Sequence, residues 1–189
     1  ILFSSFFRQS VKAVSKSVAC FSVSSLSATS LKLGLCASAF FISVTVVGST
    51  DKPETMQRKT AVPGDVIAVT GHLGSSNAGL RLLLKNELQK SSHFYAAHYM
   101  PKPRIPEGVS LLDMGIKTGM DISDGLVNDL KKICVASTVN ATINVDNIPV
   151  HQDLKKYFPN DYREMAVSGG EDYELLITGH ESLIRYISD

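Results

Sequence analysis

From residue 51 onward, short apolar runs closed by glycine alternate with stretches of helical apolar period, and this alternation limits the possible folds more than any other feature. The run at 66–70 is rich in β-branched residues and lies between a Pro-Gly-Asp turn and Gly71, which predicts a short apolar strand. Residues 126–134 instead repeat apolar side chains at i, i+4, i+7 and i+8, which predicts one buried face of a helix. Strands that alternate with helices predict an α/β or layered α+β architecture.

The other elements follow from the same apolar periods and from the positions of proline and glycine. The 189 residues suffice for one ordinary domain or one and a half. Strands are expected at 120–122, 141–145 and 173–178. Helices are expected from Ser75 onward, at 109–114 and at 182–187. A further helical segment is expected at 151–167, in two pieces that break at Pro159.

The first fifty residues differ in charge from the rest of the chain. They hold four basic residues and no acidic one, whereas residues 51–189 hold fifteen basic and eighteen acidic residues. This serine-rich, acid-free composition is typical of an organelle transit peptide, and that interpretation stays open. The uncharged stretch 33–48 is shorter than the ~20 residues of a membrane-spanning helix, and its β-branched half, 40–47, predicts a strand. We expect residues 1–62 to be a divergent or remnant N-terminal segment.

The overall charge and the cysteines exclude several classes of protein. A formal net charge of +1 argues against nucleic-acid binding driven by overall charge. Three scattered cysteines without a CxxC pair argue against a disulfide framework or a zinc ribbon and favour a reducing compartment. We therefore expect a cytoplasmic protein with neither a nucleic-acid nor a membrane partner.

Two carboxylates flank a hydroxyl at the predicted junction between a strand and a helix, in the order Asp121, Ser123, Asp124. Capping of the helix by Ser123 or Asp124 would explain one of these polar side chains. It does not explain Asp121, which is expected at the end of a buried strand and would need hydrogen bonds or a cation there. Two carboxylates near one point suit Mg²⁺, and capping and metal binding remain open alternatives.

Two glycine-containing segments allow a structural and a ligand-binding interpretation. Segment 168–174 places three acids directly after a glycine pair, so it predicts either a tight turn with Glu171 and Glu174 exposed or a loop whose backbone approaches a ligand. Segment 71–75 lies between a predicted strand and a predicted helix but lacks the GxxxxGK[ST] pattern, which favours a turn. The helix that follows would still offer backbone N–H groups to an anion.

Together, segments 121–126 and 168–175 resemble the paired acidic motifs of the thiamine-monophosphate kinase family. Segments 63–71 and 73–80 and the Pro-Lys-Pro-Arg loop at 101–104 resemble the same family in the same order. The resemblance covers residues from about 42 to 183. It implies that residues 63–189 are the C-terminal domain of the aminoimidazole-ribonucleotide-synthetase-like ATP-binding superfamily, truncated at its C-terminus.

The resemblance implies ATP-dependent phosphorylation of thiamine monophosphate to thiamine diphosphate with Mg²⁺ as cofactor. It assigns Asp121 and Asp124 to Mg²⁺, Ser123 and Arg58 to ATP, and Glu171 to the thiamine phosphate substrate. These assignments agree with the residues themselves, because phosphoryl transfer depends on metal ions, fixed cations and positioning. A guanidinium such as that of Arg58 binds phosphate oxygens with paired donors.

The chain also departs from the family. Where the family carries a Gly-Gly-Asp motif, residues 32–36 contain no acid. The alternative is therefore a catalytically inactive remnant of the same fold that binds nucleotide or substrate. The family resemblance further implies a homodimer if the N-terminal domain is intact.

Overall fold

The structure, a computed structural model, describes residues 18–29, 36–47, 54–89 and 92–188, the first two ranges by their backbone alone. The chain divides into two compact units, Ile1–Pro53 and Glu54–Asp189. Among the described residues, no helix has the length and apolar character needed to cross a bilayer.

In the first unit, strand β1 (Val18–Thr29) pairs antiparallel with strand β2 (Cys36–Val47). Strand β2 confirms the strand predicted at 40–47 and begins four residues earlier, whereas β1 was not predicted because serines interrupt its apolar residues. Residues 1–17, 30–35 and 48–53 lie outside the described residues. Both the transit-peptide interpretation and the predicted N-terminal segment 1–62 include them, so both stay predictions.

The second unit alternates strands and helices around a small antiparallel sheet with the strand order β3-β5-β4. Its elements are β3 (Val66–Val69), α1 (Ser75–Leu84), α2 (His93–Tyr99), α3 (Ile105–Asp113), β4 (Thr118–Asp121), α4 (Leu126–Ser137), a 3₁₀ turn (Val145–Asn147), α5 (Gln152–Tyr157), α6 (Tyr162–Ser168), β5 (Leu175–Gly179) and α7 (Glu181–Ser188). This architecture confirms the predicted mixed α/β fold class.

The central strand β5 buries side chains on both faces of the sheet, because successive residues of a strand point in opposite directions. Leu176 packs in a cluster with residues of α4, among them Leu126 and Ile133. Its neighbour Ile177 packs in a second cluster with Leu111 of α3 and residues of α7. The sheet is therefore covered by α4 on one face and by α3 and α7 on the other.

The strand predicted at 141–145 is wrong. Residues 141–144 have no regular structure, and a 3₁₀ turn follows, with the Asn144 side chain accepting a hydrogen bond from the backbone N–H of Asp146 at 3.1 Å. Asparagine side chains bond to nearby backbone groups and so compete with strand pairing. The alternation of apolar residues alone does not overcome this competition.

Proline affects the bounds of two predicted helical segments. The helix predicted at 109–114 begins earlier, at Ile105, with Pro106 in its first turn, where the missing N–H has no helical partner to lose. The break predicted at Pro159 is confirmed, because α5 ends at Tyr157 and α6 begins at Tyr162.

Candidate functional site

The two acidic segments lie side by side and are joined through their backbones. The N–H of Ile122 donates to the carbonyl of Glu174 at 2.8 Å, and its carbonyl accepts from the N–H of Tyr173 at 2.9 Å. One step further, the N–H of Glu171 donates to the carbonyl of Ser123 at 2.9 Å. The pairing of β4 with β5 thus continues beyond the strands and brings together segments that are about fifty residues apart.

Two glycines make this close approach possible. Gly125 has φ +100°, and a Cβ atom there would lie 2.7 Å from the carbonyl oxygen of Ser168. A Cβ atom on Gly170 would lie 2.6 Å from the carbonyl oxygen of Ser123. Real Cβ atoms do not come this close to backbone oxygens, so only glycine lets the two loops contact each other.

Three of the predicted site carboxylates surround one tyrosine. The hydroxyl of Tyr173 donates to the Glu171 carboxylate at 2.7 Å. This bond, then burial, then the charges of Glu171, Asp121 and Asp124 raise the pKa of Tyr173 to about 12. All three carboxylates are exposed, whereas Ser123 is half-buried. The structure therefore brings the two predicted metal ligands and the predicted substrate residue to one acidic surface.

Asp121 differs in one respect from the expectation based on sequence. It ends β4 as predicted, but its side chain is exposed rather than buried, since the strand end reaches solvent. Its carboxylate therefore needs no compensating group inside the protein. It is instead accessible to a cation from solution.

The structure does not bring Arg58 to this acidic surface. The Arg58 carbonyl accepts a hydrogen bond from the Ser137 hydroxyl at 2.7 Å, at the end of α4. That helix begins beside the acidic loop at Leu126, and a helix rises 1.5 Å per residue, so its two ends are about 16 Å apart. Arg58 is exposed, and its assignment to ATP stays a prediction.

The predicted capping of α4 by Ser123 or Asp124 is wrong, and Asp129 in the first turn of the helix instead accepts N–H groups of the loop that precedes it. The N-cap is Gly125, without a side-chain cap. The Asp129 carboxylate is fully buried, and its Oδ2 accepts the backbone N–H groups of Ser123 at 3.0 Å and Asp124 at 2.9 Å. Asp129 thereby fixes the loop that carries the predicted ligands.

The sequence contains a signal for Asp129 that lies outside the acidic motifs. Its position falls on the same helix face as Leu126, Leu130 and Ile133, which are buried. A carboxylate on an apolar face must be compensated by hydrogen bonds or a cation, so it marks a structural contact.

Lys132 supplies the cation. Its ammonium donates to Asp129 Oδ1 at 2.7 Å and also to Asp124 Oδ2. The hydrogen bonds to Asp124 and Asp129 raise the pKa of Lys132. One cation of the chain is therefore already attracted to a predicted metal ligand.

The carboxylates of the acidic surface can supply only part of the coordination shell of Mg²⁺. In the described ranges, no group of three or more His, Cys, Asp or Glu side chains could hold a metal ion. Mg²⁺ is commonly bound by one or two carboxylates, with phosphate oxygens and water completing its shell. The exposed carboxylates of Asp121 and Asp124 suit that arrangement, in which a nucleotide supplies the other ligands.

Glu174 is buried, so its predicted exposure is wrong. Its carboxylate accepts two hydrogen bonds from the Arg104 guanidinium, at 2.6 and 2.7 Å, and one from the Thr70 hydroxyl at 2.7 Å. The bond to Glu174 raises the pKa of Arg104. This ion pair fastens the Pro-Lys-Pro-Arg loop to the segment that carries Glu171.

The N-terminus of α1 is not open to an external anion in the way that was expected. The Asp172 carboxylate accepts the backbone N–H of Gly74 at 2.7 Å and that of Ser76 at 3.1 Å. Burial outweighs these two bonds and raises the pKa of Asp172 to about 6. The turn at 71–75 therefore has a structural role, as the pattern favoured.

Between pH 5 and pH 7.5, ionisation of Asp172 is expected to lower the free energy of unfolding by about 1 kcal/mol. A carboxyl with a raised pKa in the folded state contributes stability that is complete below its unfolded pKa. This stability is lost as the pH rises through the folded pKa, here about 6. Urea titrations of the parent protein and Asp172→Asn across this range measure the loss, since other groups titrate in both. A pH-independent difference between the two proteins would contradict the expectation.

Comparison with known proteins connects this geometry to a family. The family model described as "AIR synthase related protein, C-terminal domain" matches residues 62–182, which confirms the predicted C-terminal domain. The chain is similar to thiamine-monophosphate kinase of Bacillus subtilis (strain 168), with 39% identity over 140 residues. The match covers 71% of this chain and 42% of that protein, so the chain spans about half the length of the curated relatives it matches.

Solved structures give the same result. Thiamine-monophosphate kinase from Stenotrophomonas maltophilia K279a has a TM-score of 0.72 and 29% identity, and the match covers 79% of this chain and 51% of that one. AaThiL complexed with AMPPCP and TMP has a TM-score of 0.68 and 34% identity, covering 75% of this chain and 47% of that one. These likenesses confirm the resemblance that the paired acidic motifs indicated. Because the family model covers more than half of the 189 residues, the chain belongs to the family of AIR synthase related proteins through their C-terminal domain.

Proposed function

We propose that this chain is part of a thiamine-monophosphate kinase, which transfers the γ-phosphoryl group of ATP to thiamine monophosphate and produces thiamine diphosphate. The observation that carries the proposal is the joined pair of acidic loops, with Asp121, Asp124 and Glu171 around Tyr173. Identities of 36–40% to the curated kinases support it. A solved neighbour complexed with AMPPCP, an ATP analogue, and TMP supports it as well.

Each residue of the acidic surface has a role in this proposal. Asp121 and Asp124 would hold Mg²⁺, which when bound neutralises charge on the phosphate oxygens. Ser123 lies between them and would contact ATP with its hydroxyl. Glu171 would contact the thiamine phosphate, whose thiazolium ring is cationic and suits a carboxylate. Arg58 is proposed as a further ATP contact, because its guanidinium is exposed and can pair with phosphate oxygens.

A second candidate function is nucleotide or substrate binding without turnover. The observation that favours it is the absence of any acidic residue from residues 1–50, where the family pattern calls for further metal-binding aspartates. Two phosphorylated anions repel each other, and one pair of carboxylates holds only part of the metal needed between them. Loss of such transition-state electrostatics costs at least ~3 kcal/mol, which corresponds to about a hundredfold in rate.

The metal assignment is tested by nucleotide binding to the 189-residue chain. AMPPCP with Mg²⁺ is expected to stabilise the parent chain by about 3 kcal/mol at a hundred times its Kd. Asp121→Asn and Asp124→Asn should abolish the Mg²⁺-dependent part of this stabilisation, measured by thermal or urea unfolding with and without Mg²⁺. Asp146→Asn is the matched control, because Asp146 is an exposed carboxylate that pairs with Arg163 outside the site. Unchanged Mg²⁺ dependence in the double variant Asp121→Asn/Asp124→Asn would reject the assignment.

An activity assay separates the two candidate functions. The purified chain and the full-length Bacillus subtilis kinase are compared for ATP-dependent formation of thiamine diphosphate. We expect this chain to be at least about a hundredfold slower, since the additional metal ligands are missing from residues 1–50. Turnover within about tenfold of the control would instead establish this chain as a working kinase.

A further inference from the structure

The ammonium group of Lys132 lies between two carboxylates of very different exposure. Asp129 is fully buried, whereas the Asp124 side chain is 62% exposed. Lys132 donates to both, and its own side chain is 38% exposed. The Lys132 ammonium is therefore shared between the Asp129 carboxylate, which requires a partner, and the Asp124 carboxylate, which does not.

The requirement of Asp129 explains why a lysine occupies this position. A buried carboxylate is stable only when hydrogen bonds and a cation compensate its charge. Asp129 has two backbone N–H donors on one oxygen and Lys132 on the other. Lys132 follows it by three residues on α4, so the two side chains lie on the same helix face.

The contact with Asp124 has no such explanation, because water could solvate this exposed carboxylate equally well. A lysine ammonium carries three donors, so it can bind Asp129 and still reach a second acceptor. The consequence is that a positive charge already occupies one oxygen of Asp124.

We propose that Lys132 competes with the divalent cation for Asp124 and so sets the metal affinity of the acidic loop, an inference that rests on the proposed role of Asp121 and Asp124. When a divalent cation binds, Lys132 leaves Asp124 Oδ2 and keeps its bond to Asp129. The loop then binds a free cation weakly. It binds a cation well only when phosphate oxygens supply further ligands, which selects the metal–nucleotide complex over the metal alone.

The test uses Mn²⁺ alone as the probe, with binding to the 189-residue chain measured from the EPR signal of free Mn²⁺. Lys132→Gln removes the charge but retains an amide donor for Asp129, and it is expected to bind Mn²⁺ about fivefold more tightly than the parent chain. Lys132→Arg keeps the charge and should leave the affinity unchanged. Lys131→Gln is the matched control, because Lys131 is an exposed neighbour on the same helix that bonds to neither carboxylate in the structure. If Lys132→Gln does not fold by circular dichroism, the double variant Asp129→Asn/Lys132→Gln, which removes the buried charge together with its cation, is measured in its place.

The outcomes separate this inference from the proposed function. Tighter Mn²⁺ binding by the uncharged variant alone supports the competition. Equal or weaker binding by that variant overturns the competition but leaves Asp121 and Asp124 as ligands. Absence of Mn²⁺ binding by every variant also overturns the competition, whereas the assignment of Asp121 and Asp124 to Mg²⁺ is decided by the AMPPCP experiment with the two Asn variants.

Discussion

Replacement of Arg104 by methionine is expected to lower the free energy of unfolding by about 3 kcal/mol. The variant leaves the Glu174 carboxylate buried, with the Thr70 hydroxyl as its remaining side-chain donor. An uncompensated buried charge is more costly than the loss of the ion pair itself. Urea unfolding at neutral pH measures this loss.

Two further variants identify the cause. Arg163→Met removes an exposed guanidinium that pairs with Asp146, and it should cost much less stability than Arg104→Met. The double variant Arg104→Met/Glu174→Gln removes both charges and should be more stable than Arg104→Met alone. If neutralising Glu174 restored no stability, the loss would have to come from packing or from the broken pair with Glu107 rather than from the Glu174 carboxylate.

Gly125→Ala is expected to destabilise the protein by about 3 kcal/mol, for two reasons that add. Its backbone, with φ +100° and ψ 149°, lies in a region that is essentially restricted to glycine. Its new Cβ would also lie 2.7 Å from the Ser168 carbonyl oxygen and 2.9 Å from the carbonyl carbon, neither of which can move without breaking the contact between the acidic loops.

Gly115→Ala separates these two causes. Gly115 has φ +98°, but no atom lies within 4 Å of the position its Cβ would take. It should therefore show the cost of a positive φ alone, about 1 kcal/mol. Thermal unfolding of both variants measures the difference, and equal losses would mean that the close contact at Gly125 carries no cost of its own.

The sequence predicts those parts of the fold that depend on local pattern. The apolar face of α4 and the β-branched run of β3 are visible within ten residues or so, and burial follows from their periods. The acidic loops are also local motifs, and the family resemblance indicated that Asp121, Asp124 and Glu171 belong to one site. The backbone bonds between Ser123 and Glu171 then show how the fold brings the two loops together.

Features that depend on distant partners could not be predicted in this way. The burial of Glu174 requires Arg104, seventy residues earlier, and no local pattern indicates that pairing. Likewise, Asp172 takes the N–H groups of α1 from almost a hundred residues away. The strand expected at 141–145 failed for a local reason instead, because the Asn144 side chain bonds to the Asp146 N–H and so competes with strand pairing.

The backbone bonds between the acidic loops also bear on how such a site can change over generations. Carbonyl and N–H groups are the same for nearly every amino acid, so the loops stay joined whichever side chains stand at positions 121 and 124. Substitutions at these positions can change which ligand the loops bind without breaking the backbone bonds between them. Gly125 and Gly170 are denied this freedom, because any side chain at either position would push the two loops apart.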